Sequence, residues 1–257
     1  VPSAPSKVGK NRPRSPQSCI LRIGAGWRKA GGGVKCGMVT IAALYIDPKG
    51  PYPSMPGVDC WDEARDARLY EGPHPVVAHP PCGRWCAMAR LNEKRWGARV
   101  GEDGGCFERA LGALQKFGGV LEHPARSLAW GAFGLPKPRG VGWHKQGAFW
   151  TCEVWQSAYG HLATKRTWLL YAGESPPAEL DWTRPRGTHQ IGGGIHTGER
   201  SLPRCPDRLT HLTPQSFAAA LVALARSVGG RLLDPNVRMW HTRRVGSPTG
   251  PRRRSRC

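Results

Sequence analysis

The run VTIAALYI at 39–46 gives a β-strand no water-facing side. Such a strand is stable only where both of its faces are covered, as in a parallel sheet held between helices. PVVAH (75–79) and VLEHP (120–124) repeat the pattern in shorter form. FWTCEVWQSAYG (149–160) and TWLLYAG (167–173) read as two more strands around a turn. Helical segments fall between and after them. In GCFERALGALQKFGG (105–119), Phe107, Ala110, Leu111, Leu114 and Phe117 recur at helical spacing and glycines stop the helix. TPQSFAAALVALARSV (213–228) is capped by Thr213 and has Pro214 in its first turn. DCWDEARDARLY (59–70), with acids early in the segment, reads as a third helix, and DPKGPYPSMPG before it as a loop. Strand and helix alternate without an internal repeat, which predicts a single α/β domain with a largely parallel sheet.

Charge divides the chain into three parts. Residues 1–37 carry eight Lys/Arg and no acid, and residues 234–257 carry seven Arg and one Asp. About six of the twenty net positive charges are left to residues 38–233. The two ends are expected to be disordered basic extensions around a folded 38–233. Within the first, CILRIGAG offers only a weak glycine turn for a nucleotide. So basic a balance suits an anionic polymer, although solvated tails alone also account for it. No signal peptide and no membrane span are expected, since no apolar run approaches 18 residues. Nine cysteines without repeating spacing fit free thiols in a reducing, cytoplasmic setting. A monomer is expected.

Three polar signals stand at strand ends, where ligands bind in open parallel sheets. They are HPPC after PVVA, EHP after GGVL, and YGHLATKR before TWLLYAG: a thiol, a carboxylate and cations. Two prolines end the strand sharply, so Cys82 is presented rather than packed. It reads as a nucleophile, with a metal ligand or a small buried thiol as alternatives. His79, Cys82 and Cys86 fit no common zinc spacing, and the chain lacks the paired motifs of a zinc deaminase. No metal site is therefore expected. Trp85, Trp130, Trp143 and Trp150 lie near the loops after these signals and read either as stacking platforms for bases or as ordinary core. GTHQIGGGIHTGER (187–200) reads as a mobile loop and a weak phosphate cradle.

Over roughly residues 76–173 the chain resembles the DNA (cytosine-5)-methyltransferase family, most closely a compact phage-encoded branch of it. Pro81 and Cys82 look like its Pro-Cys motif. Glu122, His123 and Pro124 resemble its Glu-Asn-Val motif, and 158–173 its tyrosine-glycine, glutamine-x-arginine-x-arginine motif. The resemblance implies a Rossmann-like, S-adenosylmethionine-dependent methyltransferase fold acting on DNA in the cytoplasm, the host's if the chain is phage-encoded. It implies that Cys82 adds to C6 of a flipped cytosine, that Glu122 holds N3 and the amino group, and that Arg166 lies near the base carbonyl or a phosphate. Arg84 and Lys165 are the further substrate-binding cations. For S-adenosylmethionine it points to Tyr45, Asp47 and Pro80 at strand ends, with Asp59 or Asp62 for the ribose hydroxyls. The departures are specific: no glycine-rich loop follows VTIAALYI, and His123, Thr164 and Trp168 stand where the family has Asn, Gln and Arg. Other open readings are a different one-carbon donor, a free-nucleotide substrate, or a degenerate fold that only binds nucleic acid.

Overall fold

A computed structural model describes residues 39–174, 177–191 and 201–228. The expectations for 1–37 and 234–257, and for most of the glycine-rich 187–200 segment, fall outside the described residues.

The apolar run at 39–46 forms β1 (Ile41–Leu44), buried at every position. It pairs in parallel with β2 (Val58–Trp61) on one side and β3 (Val76–Ala78) on the other. After β3 come α1 (Ala89–Trp96) and α2 (Cys106–Phe117). The chain then turns straight into β4 (Gly119–Pro124), parallel to β3. Two glycines make that reversal possible. Gly118 and Gly119 have φ of 72° and 120°, and a Cβ on Gly119 would run into the backbone of Val76.

Beyond β4 lie α3 (Leu128–Ala132), β5 (His144–Gln146), β6 (Phe149–Trp155) and β7 (Arg166–Ala172), then α4 (Asp207–Thr210) and α5 (Gln215–Arg226). The seven strands form one sheet in the order β2-β1-β3-β4-β7-β6-β5. β7 runs antiparallel to β4, and β6 antiparallel to β7, so β6 points the same way as the parallel half. Only β7 and the edge strand β5 run against it.

Strand alternation divides the core into two layers. Ala42, Leu44, Val76, Ala78 and Leu121 pack under α2 with Phe107, Leu114 and Phe117. Ile41, Ala43, Val77 and Val120 pack under α5 with Phe217, Leu221 and Ala225. Helices cover both faces, as the apolar run requires. The class is therefore α/β with one mixed, mostly parallel sheet. No helix among the described residues is long and apolar enough to cross a membrane.

The segment 59–70 is not the expected helix. Its start belongs to β2, in register with β1 from Ile41↔Val58 to Leu44↔Trp61, and a 3₁₀ turn at Ala67–Leu69 follows. Its acids close turns instead of opening a helix. Asp62 accepts the N–H of Arg65, and Asp66 that of Arg68. Similarly, the strand expected over 149–160 stops at Trp155 and becomes a 3₁₀ turn at Gln156–Tyr159.

Candidate functional site

From β1 the chain moves outward to β2, then crosses back to β3 on the other side of β1. That reversal leaves a crevice beyond the carboxyl ends of β1 and β3, the usual ligand position in such sheets. A cavity of about 220 Å³ lies there. Its wall includes Tyr45 and Asp47 from the end of β1, His79, Pro80 and Cys82 from the end of β3, and Glu122 from β4. Lys165 reaches it from just before β7, and His211, Leu212 and Thr213 from the approach to α5. Because β7 is antiparallel, its first residues sit at the same sheet edge as the last residues of β4.

Cys82 is held by its neighbours in sequence. Its carbonyl accepts the N–H groups of Trp85 (2.9 Å) and Cys86 (2.8 Å), so the two prolines lead into a helical turn. Trp85 anchors that turn. Its indole N–H donates to Asp103 at 2.8 Å, and Asp103 also accepts the N–H groups of Gly105 and Phe107 at the start of α2. The carbonyl of Trp85 accepts the N–H of Leu128 at 2.7 Å. Trp85 and Trp130 are thus core residues rather than base platforms, and Trp143 and Trp150 pack against the α5 layer.

Burial pushes the Cys82 thiol up to about 11; Cys86 and Glu122 add to this, and Lys165 opposes it. The sulfur is therefore a neutral thiol at pH 7 in the unliganded protein. Iodoacetamide should accordingly modify Cys82 slowly at neutral pH, with a rate that keeps rising toward about pH 11 when followed by peptide mass spectrometry. A plateau near the ordinary thiol value of about 8.5 would mean that the thiol is activated before any ligand arrives.

Glu122 has a partner on each oxygen. His79 Nδ1 lies 3.0 Å from Oε2, and Gln156 Nε2 donates to Oε1 at 3.1 Å. On its far side, His79 Nε2 is 2.6 Å from the hydroxyl of Tyr52. Burial by itself would raise the carboxyl, but the hydrogen bond from His79 and the positive charge of Lys165 outweigh it, so the group sits below the ordinary Glu value. Lys165 is lowered by burial, with Glu122 and Cys82 pulling the other way, and its Nζ donates to the carbonyl of Leu212 at 3.0 Å.

The cation at the cavity is Lys165, not Arg166. Along β7, Trp168 and Leu170 face the α2 layer while Leu169 and Tyr171 face the α5 layer, which puts Arg166 with the first set. Glu122, two residues after Val120, belongs to the second. The Arg166 guanidinium grips Glu153 with both arms, at 2.9 and 3.0 Å, and Trp168 donates to the same carboxylate. Arg84 lies outside the cavity wall.

Of the residues expected to hold a cofactor, Tyr45, Asp47 and Pro80 line the cavity, whereas Asp59 and Asp62 do not. Asp59 on β2 is engaged through one oxygen by Arg65 and through the other by the Trp61 indole. Tyr45 has φ of 59° and a buried hydroxyl without a protein partner.

His79, Tyr52 and Gln156 were not singled out for this role by the sequence. His79 stood out only as a metal ligand, and among the described residues no cluster of three or more His, Cys, Asp or Glu could hold a metal ion. Tyr52 is set between prolines in a short turn, and Gln156 lies where β6 gives way to a 3₁₀ turn. His123 stands beside Glu122 in sequence but on the opposite face, fully buried between Phe107 and Trp130. Burial lowers its ring to about 4, so it is neutral. Cys60, Cys82, Cys86, Cys152 and Cys205 are free thiols, whereas Cys106 is disulfide-bonded.

Comparison with known protein families, with curated proteins and with solved structures gives no match to this chain.

Proposed function

We propose that the protein is a pyrimidine-modifying enzyme of the DNA cytosine C5-methyltransferase type, working through a covalent bond from Cys82 to C6 of the base. One observation carries this reading: a thiol, a carboxylate and an ammonium share one cavity at the carboxyl ends of β1, β3 and β4. The +20 charge of the chain supports DNA as the source of the pyrimidine.

The chemistry needs little beyond these groups. Cys82 sulfur bonds to C6, the C5=C6 double bond shifts to C4=C5, and N3 takes a proton. Glu122, held as a carboxylate, relays the thiol proton to N3, so the addition creates no net charge. Lys165 steadies the anionic sulfur while that proton is in transit. C5 is now enamine-like and nucleophilic.

S-adenosylmethionine, the donor that the resemblance implies, does not fit the residues present. About 220 Å³ is below the roughly 300–1,000 Å³ of pockets that enclose drug-sized ligands. Asp59 has both oxygens occupied, and Asp62 already accepts a backbone N–H. The loop after β1, residues 45–57, holds two separated glycines, Gly50 and Gly57, in place of a glycine-rich cradle. No step is therefore drawn through that donor.

The test is correspondingly independent of any donor. In D₂O, addition of Cys82, deuteration of C5, loss of the original C5 proton and expulsion of the sulfur would exchange hydrogen for deuterium at C5. Incubation of the full chain with a cytosine-containing oligonucleotide, and separately with deoxycytidine monophosphate, should give C5 deuterium in the oligonucleotide by mass spectrometry. Exchange in the mononucleotide alone would move the substrate to free nucleotides, and no exchange in either would overturn the covalent reading.

A further inference from the structure

We propose that Tyr52 and His79 form a tautomer lock on Glu122: the Tyr52 hydroxyl fixes the His79 proton on Nδ1, so that a donor always faces the carboxylate. A neutral imidazole carries one ring proton and can place it on either nitrogen. Here both nitrogens have oxygen partners, Tyr52 at 2.6 Å and Glu122 at 3.0 Å. A carboxylate can only accept, whereas a phenol can donate. The consistent assignment is Tyr52 O–H donating to Nε2 and Nδ1–H donating to Glu122 Oε2.

The surroundings favour that assignment. Tyr52 is 2% exposed, and burial raises its phenol well above the ordinary value, so it keeps its proton to donate. Pro51 and Pro53 flank it in a 3₁₀ turn that fixes its backbone, and its ring sits 5.4 Å from the His79 ring. The other side of Glu122 is equally determined. Thr167 Oγ1 donates to the carbonyl of Lys165 and so must accept from Gln156, whose second N–H then donates to Glu122 Oε1. Each carboxylate oxygen thus has one donor from the protein and a lone pair left for the cavity. Tyr52 and His79 also line the cavity, but in this scheme they are positioning residues, since they act through Glu122.

The titratable groups around Glu122 come from several elements: His79 and Cys82 after β3 and Lys165 before β7, while His123, its neighbour on β4, points to the opposite face. Asp47 and His211 share the same cavity wall. Removing the Tyr52 hydroxyl leaves all of these in place. It frees Nε2 to hold the proton, and where it does, Glu122 loses a donor. A carboxylate that loses a donor is protonated at higher pH.

The experiment uses the full chain labelled with ¹⁵N-histidine and ¹³C-carboxyl glutamate, and its kinetic arm rests on the covalent reading above. Wild-type His79 should carry its hydrogen on Nδ1, and Tyr52→Phe should populate the Nε2–H form. The acid limb of the Glu122 titration, and of C5 exchange, should move up by about one pH unit, an ordinary size for an environmental shift. His79→Asn supplies an amide N–H toward Glu122 without tautomers, so Tyr52→Phe in that background should leave the limb where it is. An Nε2–H wild-type His79, or an equal shift in both backgrounds, overturns the lock. The tautomer and the carboxyl titration are read without turnover, so absent exchange alone would sink the covalent reading and leave the lock to be judged by the spectra.

Discussion

Cys82→Ser is expected to lower C5 hydrogen exchange by about 10³-fold or more, with no measurable residual adduct to base analogues that trap a C6 thioether. Two features make the effect large. The side chain would be the bonding atom itself, so its loss removes the step rather than slowing it. An alcohol is also a far weaker acid than a thiol, and a site that already raises the thiol to about 11 would leave serine without usable alkoxide. The fold should not respond. The turn at Cys82 is held by its backbone carbonyl and by Trp85, not by the sulfur. The expected change in Tm is within about 2 °C, the effect of a few tenths of a kcal/mol in a chain of this size. Full exchange activity in the Ser variant would remove Cys82 from the chemistry.

Glu122→Gln should cost about 10²–10⁴-fold in the same assay, the range typical of a positioned proton-transfer group. The replacement keeps shape and removes the charge. It also spoils the local hydrogen bonding. His79 and Gln156 both donate to Glu122, whereas an amide has one oxygen, so its NH₂ must face one of the two donors. That clash costs roughly 1–3 kcal/mol of stability, the price of an unsatisfied buried donor. The stability loss and the activity loss separate by pH. Wild-type activity should fall as pH drops through the depressed Glu122 value, because protonation removes the carboxylate. The Gln variant should lack that acid limb. If its pH profile matched wild type, another group would be the proton carrier.

How much of this could be read from the sequence depended on where each strand lies. The buried strands β1, β3 and β4 were legible because both faces are covered, which writes an unbroken apolar run into the chain. The helices α2 and α5 showed their periodicity for the converse reason: one face is packed and one wet. β2 was misread because an edge strand is half-exposed and tolerates acids, so VDCWDEARD looked like a helix start until pairing with β1 decided it. β5 is three polar residues whose strand character comes from pairing with β6. α1 was not anticipated either; half of its residues are charged and it buries little beyond Ala89.

The candidate site divides along the same line. Cys82 and Glu122 follow apolar strands and were found by position. The choice between Lys165 and Arg166 could not be made from spacing, because it depends on which face of β7 looks toward Glu122. Tyr52 and Gln156 were hidden because their meaning lies in partners 27 and 34 residues away, His79 and Glu122.

The placement of β7 beside β4 has a bearing on how the molecule is made. A nascent chain that has emerged only as far as residue 124 already holds the sulfur and the acid, but the outer edge of β4 is bare until residues 166–172 arrive to pair with it. The closing helix comes later still: Arg226 donates to the carbonyls of Val39 and Pro56, 187 and 170 positions back along the chain. Contacts of such span form slowly, and an unpaired strand edge invites pairing with other molecules in the meantime. A product terminated between β4 and β7 would therefore be a self-associating fragment rather than a less stable form of the whole protein.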